Sequence, residues 1–234
     1  TTDADQTAYV EWQVMGMADL RKEIFGLDIN EYGGIANDDI IMLSDTDAWS
    51  LLTGYSSRYE ANSYATQSHM DARMTTIQVP IRVWASIMPG NYETKTITKS
   101  ITVNSALADY YYNFFNDVYN EATDFVFVPS EFYCYSYRKT TSGTRLSAHA
   151  FGAACDINSS TDGNGYGDHV YTKSEWESMK KSKKKYQVIY KDSKFVEIAH
   201  RYTLSWGGEW NSVTDAMHVS FIGDESRATL QSGR

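Results

Sequence analysis

The sequence predicts an α+β fold: a small central antiparallel sheet flanked by helices, forming a single domain with an N-terminal extension. Two segments, 75–86 and 94–103, alternate apolar with polar side chains as half-buried strands do. Between residues 105 and 119 the apolar side chains Leu107, Tyr111, Phe114, Phe115 and Val118 recur at spacings of three and four, which leaves one helical stripe. Strands and helices then follow one another without the strict β-α alternation that a parallel sheet requires.

The elements can be justified in chain order. Residues 5–25 carry Tyr9, Trp12, Val14, Met15, Met17, Leu20, Ile24 and Phe25 at near-helical spacing. Gly33, Gly34, Asn37, Asp38, Asp39, Asp45 and Asp47 then punctuate an acidic stretch without a metal-ligand set. Regular signals begin near residue 72, so residues 1–71 read as an accessory extension, 72–223 as the main domain and 224–234 as a tail. In the strand 75–86, Pro80 predicts an edge position because it has no amide to donate. Pro89, Gly90 and Asn91 predict a turn before the strand 94–103. Asn104 and Ser105 offer caps for the helix that follows. Residues 125–128, 131–138, 153–157 and 217–222 read as strands, and 174–182 and 193–203 as helices. Gly207 and Gly208 mark a stop or a tight turn.

Composition narrows the function. The 234 residues are 42% hydrophobic and 14% aromatic, enough for a packed core and too much for a disordered chain. A net charge of -9 argues against a general nucleic-acid binder. The one basic run, residues 180–185, reads as a solvated helix end or loop, with an anionic polymer as the alternative. No apolar run approaches the roughly 18 residues that span a membrane. The start at Thr1 suits a mature form trimmed of a leader. Cys134 and Cys155 are the only cysteines, and their spacing leaves both a disulfide and two buried thiols open.

Chemistry concentrates in two short stretches. Ser147-Ala148-His149 is followed by Gly152, which permits a sharp bend, and by small Ala153 and Ala154 on a strand that ends at Asp156. On that strand Asp156 shares a face with Ala154 and can point back toward His149. Later, Asp215 stands three residues before His218. Two histidines and a carboxylate close three corners of a zinc tetrahedron and leave the fourth for water. An acid in the turn entering the second strand is placed to exchange protons with that water. Each half alone also reads as a turn aspartate beside an ordinary histidine.

Taken together, Tyr137-Arg138, the Ser147 to Asp156 stretch, Trp206-Gly207-Gly208-Glu209-Trp210, Asp215 and His218 resemble the zinc peptidases that include D-alanyl-D-alanine carboxypeptidases and L-alanyl-D-glutamate peptidases of peptidoglycan. The resemblance spans residues 72–223. It implies that His149, Asp156 and His218 are the zinc ligands, Asp215 the catalytic base and acid, and Arg138 the group that binds a substrate carbonyl or carboxylate. Ser147 is similar to a serine that contacts substrate, although it equally suits a turn cap. Trp206 and Trp210 are candidates for a substrate surface, with core packing as the plainer reading. Aspartate at position 215 and the tryptophan-glycine stretch are similar to the endopeptidase branch seen in phage endolysins.

The resemblance further implies a peptidoglycan stem peptide as substrate and a secreted or cell-surface location associated with the wall, which favours the disulfide. A non-catalytic wall-binding module on the same fold is the alternative from another class. The glycine-rich stretch 162–168 reads as a rim loop or lid; as a calcium loop it fails, because Tyr166 and Lys173 occupy ligand positions.

Overall fold

The computed structural model describes residues 46–223 apart from residues 142, 144, 203 and 212. The helix expected over 5–25 and the tail 224–234 lie outside the described residues. Three short helices come first, α1 (Thr46–Thr53), α2 (Arg58–Tyr64) and α3 (Gln67–Asp71). Their periodicity is too brief to read from sequence, and they were not anticipated. They contribute Trp49, Leu52, Ala61, Ala65 and Met70 to the buried core. Trp49 packs edge-on against Phe151 with ring centroids 5.4 Å apart, which places α1 directly behind the loop of His149.

Strands β1 (Met74–Trp84) and β2 (Thr94–Asn104) form an antiparallel hairpin in register from Met74 opposite Asn104 to Trp84 opposite Thr94. The hairpin is a two-stranded sheet, so Pro80, opposite Thr98, does stand on an edge. Val79, Ile81 and Val83 face the core, as the alternation requires. The expected turn holds Gly90 at φ +80°. The Asn104 side chain accepts from the Ala106 amide and caps a 3-10 turn that leads into α4 (Ala108–Glu121). Tyr110, Tyr111, Phe114, Phe115 and Val118 bury the inner face of α4. Phe114 meets Phe195 and Phe115 meets Phe132, so this helix joins the later helices to the sheet.

The site is carried by a four-stranded antiparallel sheet in the order β3-β4-β6-β5. These are β3 (Phe132–Tyr133), β4 (Ala154–Ile157), β5 (Ser205–Trp206) and β6 (His218–Ser220). The α+β prediction with a small antiparallel sheet flanked by helices is thus what the protein has. Helices α5 (Lys173–Ser178), α6 (Lys183–Gln187) and α7 (Lys194–Arg201) fill the rest.

Several elements depart from expectation for identifiable reasons. Residues 125–128 belong to no strand: the amides of Val126 and Phe127 donate to the carbonyls of Tyr186 and Arg82, and that of Val128 to the Asn158 side chain. The segment 131–138 pairs as a strand only at Phe132–Tyr133, because beyond it Tyr135 N donates to Thr102 O and Ser136 N to His149 O. The helix expected over 174–182 breaks at Met179, whose ψ of 138° is extended, and Ser182 caps a new helix. In the basic run, Lys184 pairs with Asp162, and Lys185 lies over the Trp176 ring while donating to the carbonyls of Glu177 and Met179. Among the described residues no helix is long and apolar enough to cross a membrane.

Candidate metal centre

His149 sits on a 3-10 turn, Ala148–Phe151, whose first amides are capped by the Ser147 side chain. The turn is closed by Gly152 at φ +62°, where a Cβ would lie 2.5 Å from Asn104 N and 2.6 Å from Met74 Sδ. Only glycine tolerates both the backbone angle and the contact. His149 Nδ1 lies 2.6 Å from the Cys134 carbonyl oxygen. The ring therefore donates from Nδ1 and turns the Nε2 lone pair inward, the usual way a ligand imidazole is oriented.

Asp156 and His218 are directly opposed on the central strands β4 and β6. Their side chains meet that of His149 in one cluster. His149 Nε2 and His218 Nδ1 lie 3.1 and 2.9 Å from Asp156 Oδ1, and 3.2 Å from each other. All three residues are buried, at 0%, 1% and 3% exposure in chain order. Tetrahedral zinc with bonds near 2.0–2.2 Å separates its ligand atoms by roughly 3.3 Å, so the cluster is within a few tenths of an ångström of that spacing. Asp156 Oδ2 is buried without a hydrogen-bond partner, a costly condition that a bound cation would relieve. Two imidazoles and a carboxylate form a donor set that zinc accepts, so the residues present fit the metal. Burial alone would push the Asp156 carboxyl up, but the close approach of the His149 and His218 imidazoles outweighs it and holds the group well below the usual carboxylate range.

Asp215 is brought to the same place by its turn. Its carbonyl accepts from His218 N at 3.0 Å, and its amide donates to Gly207 O at 2.8 Å. That second bond explains the glycine pair. A Cβ on Gly207 would lie 2.2 Å from Asp215 O, and one on Gly208 would lie 2.2 Å from the Trp206 indole. On the other side Asp215 pairs with Tyr166, so the loop 162–168 is a rim fixed to Asp215 rather than a free lid. Asp168 Oδ2 in that loop accepts from the amides of Gly163 and Gly165, and Asp162 is paired with Lys184. Among the described residues the His149, Asp156 and His218 group is the one metal-type cluster, so the calcium reading gains no support.

The other candidates divide. Arg138 Nη2 reaches to 3.8 Å from Asp156 Oδ2 while the side chain stays 42% exposed, facing both the cluster and solvent. Ser147 is 2% exposed and serves as the turn cap, which leaves its hydroxyl little access to a substrate. Trp206 is enclosed and its indole N–H donates to Ala216 O, so its role is packing and the substrate-surface reading is corrected. Trp210 donates to Ser205 Oγ and lies with its ring 5.1 Å from that of His218, so it backs the histidine. His169 bonds Glu175 at the surface and His200 bonds Glu209, so neither joins the cluster. Cys134 and Cys155 are joined as a disulfide that ties the carbonyl partner of His149 to the neighbour of Asp156.

One residue at the site went unnoticed in the sequence. Tyr133 is the cross-strand neighbour of Asp156, and its ring centroid is 5.8 Å from that of His149. Its only sequence signal is a place in a run of aromatics; the register that sets it beside Asp156 is a property of the sheet.

No curated protein and no solved structure matches the chain significantly. Residues 140–221 match the model of a family described as D-alanyl-D-alanine carboxypeptidase. The matched segment contains His149, Asp156, Asp215 and His218, with Arg138 just ahead of it. The segment that carries the three clustered side chains and Asp215 is thus similar to a family of peptidases, described as D-alanyl-D-alanine carboxypeptidase, over residues 140–221.

Proposed function

We propose that this protein is a zinc-dependent peptidase that hydrolyses a peptide bond of the peptidoglycan stem peptide, with L-alanyl-D-glutamate endopeptidase as the first reading. The observation that carries it is the buried His149, Asp156 and His218 cluster with Asp215 on the adjoining turn. Zinc held by these three side chains would acidify a water molecule and polarise the scissile carbonyl. Asp215 takes a proton from the attacking water and passes it to the leaving amine as the C–N bond breaks. Arg138 offers its planar fork to the carbonyl oxygen, where negative charge develops. The cluster's burial keeps bulk water from screening those charges.

Aspartate at position 215, together with the Trp206 to Trp210 stretch, supports the endopeptidase reading through the resemblance to that branch. The description of the matched family favours the second reading, a D-alanyl-D-alanine carboxypeptidase in which Arg138 holds the terminal carboxylate. The disulfide supports a secreted or cell-surface, wall-associated protein, since such bonds persist in oxidising compartments. Incubating the protein with purified muropeptides and weighing the products tests all of this. An endopeptidase cuts beside the lactyl-linked alanine, whereas a carboxypeptidase releases a terminal alanine. Asp215→Ala should abolish turnover with zinc still bound; loss of the metal in that variant would make Asp215 a ligand instead. A wild-type protein that binds insoluble wall, holds no zinc and releases nothing would be the non-catalytic module.

A further inference from the structure

Beside the cluster stands a donor that the readings above do not use. On β3 the side chain of Phe132 is buried in the core, and the alternation of the strand turns Tyr133 to the opposite face. Tyr133 stands opposite Asp156 in the antiparallel register, so the two side chains share that face as nearest cross-strand neighbours. Its ring lies 5.8 Å from the ring of His149, yet the residue remains 39% exposed. A large aromatic side chain beside two members of the cluster thus remains open to solvent.

The electrostatic surroundings agree with this placement. Burial first, then the charge of the Asp156 carboxylate and a hydrogen-bonding contact with it, push the Tyr133 phenol up to about 12; Arg138 pulls the other way and Asp215 adds a weaker push. The phenol thus lies within range of the charges of Asp156, Arg138 and Asp215 together. A protonated phenol is a hydrogen-bond donor. Arg138 approaches the same carboxylate, with Nη2 3.8 Å from Asp156 Oδ2, and is itself 42% exposed.

We propose that Tyr133 is a second electrophilic donor which, with Arg138, grips the carbonyl oxygen of the scissile bond and the oxyanion formed from it; this rests on the peptidase reading above. The phenol keeps its proton throughout. The water oxygen bonds to the carbonyl carbon, the water proton passes to Asp215, and Asp215 returns it to the amine nitrogen as the C–N bond breaks. Tyr133 contributes only a hydrogen bond that strengthens as the carbonyl oxygen gains charge, which is how a preorganised donor lowers a barrier.

Tyr133→Phe in the full-length, zinc-loaded protein tests this, because it removes the hydroxyl and keeps the ring against His149. With purified muropeptides as substrate, kcat should fall about 100-fold, the loss typical of one oxyanion donor. KM should change by less than about threefold, since the bond matters chiefly in the transition state. Zinc content and melting temperature should match the wild type. A kcat within about threefold of wild type would overturn the proposal. Loss of zinc, or a lowered melting temperature, would overturn it too and make Tyr133 a positioning residue for Asp156. A wild-type protein that leaves every muropeptide intact removes the peptidase reading and this proposal with it, and is recognised without the variant.

Discussion

Replacing Gly207 with alanine probes the link between the glycine turn and Asp215, the proposed proton carrier. Gly207 does not need an unusual backbone angle, so alanine adds only a methyl group. That methyl would lie 2.2 Å from Asp215 O, 2.9 Å from Asp215 C and 3.1 Å from Asp215 Cβ, against ordinary contacts that begin at 3.4 Å. The closest contact is more than 1 Å too short, and it is with backbone, which cannot swing aside as a flexible side chain does. The turn bearing Asp215 must therefore shift by about that amount, which also stretches the 2.8 Å bond from Asp215 N to Gly207 O. A displacement of about 1 Å in a reacting group costs on the order of 100-fold in rate. Overpacking costs about 1–3 kcal/mol, or roughly 2–12 °C in melting temperature for a domain of this size. The assay is the rate of muropeptide cleavage followed by mass spectrometry, with zinc measured on the same preparation. The expected result is a kcat about 100-fold lower with zinc retained. Gly208→Ala is the control, because its methyl meets the Trp206 indole at 2.2 Å instead; it should lower stability with a smaller effect on kcat. A Gly207→Ala protein whose kcat stays within about threefold of wild type would refute the assignment of Asp215 as the proton carrier held by this turn.

Other perturbations read different parts of the structure. The Cys134 to Cys155 bond closes a loop with a sequence separation of 21. Replacing both cysteines with serine should cost about 3 kcal/mol, roughly 6–12 °C, in a thermal melt; an unchanged melting temperature would mean that the bond adds nothing to the fold. His200 has its pKa raised by the hydrogen bond to Glu209, against burial, which lowers it. Its contribution to stability is therefore fully present below the unfolded histidine value of about 6.5 and is lost as pH rises through the higher folded value. His200→Gln should destabilise the protein more at pH ~5.5 than at pH ~8.5 in urea titrations; equal losses at both would remove the ion pair from the account.

The sequence disclosed the candidate metal centre more readily than the fold around it. His149, Asp156 and His218 were legible because Gly152, Ala153 and Ala154 announce a bend and a crowded strand and because, with Asp215, their order and spacing resemble the zinc peptidases. Residues 125–128 misled because an apolar run looks like a strand whether or not another strand lies alongside. Here its amides were taken by the Tyr186 carbonyl of α6, the carbonyl of Arg82 on β1 and an asparagine side chain. The helices of residues 46–71 were hidden by brevity, since five to eight residues give too few turns for a stripe. Trp206 could not be assigned from sequence because an indole beside glycines serves a core or a cleft equally well, and only its bond to Ala216 O decides. Tyr133 depended on register, which pairs it with Asp156 and is set by the whole sheet.

The proposed peptidase function stands or falls on the metal. Zinc analysis of the purified full-length protein, alongside His149→Ala and Asp156→Asn variants, tests it most directly. The cluster predicts one tightly held zinc per wild-type chain and a loss of at least about tenfold in affinity in each variant. A wild-type protein that cleaves muropeptides with no stoichiometric zinc, or variants that keep the metal undiminished, would contradict it.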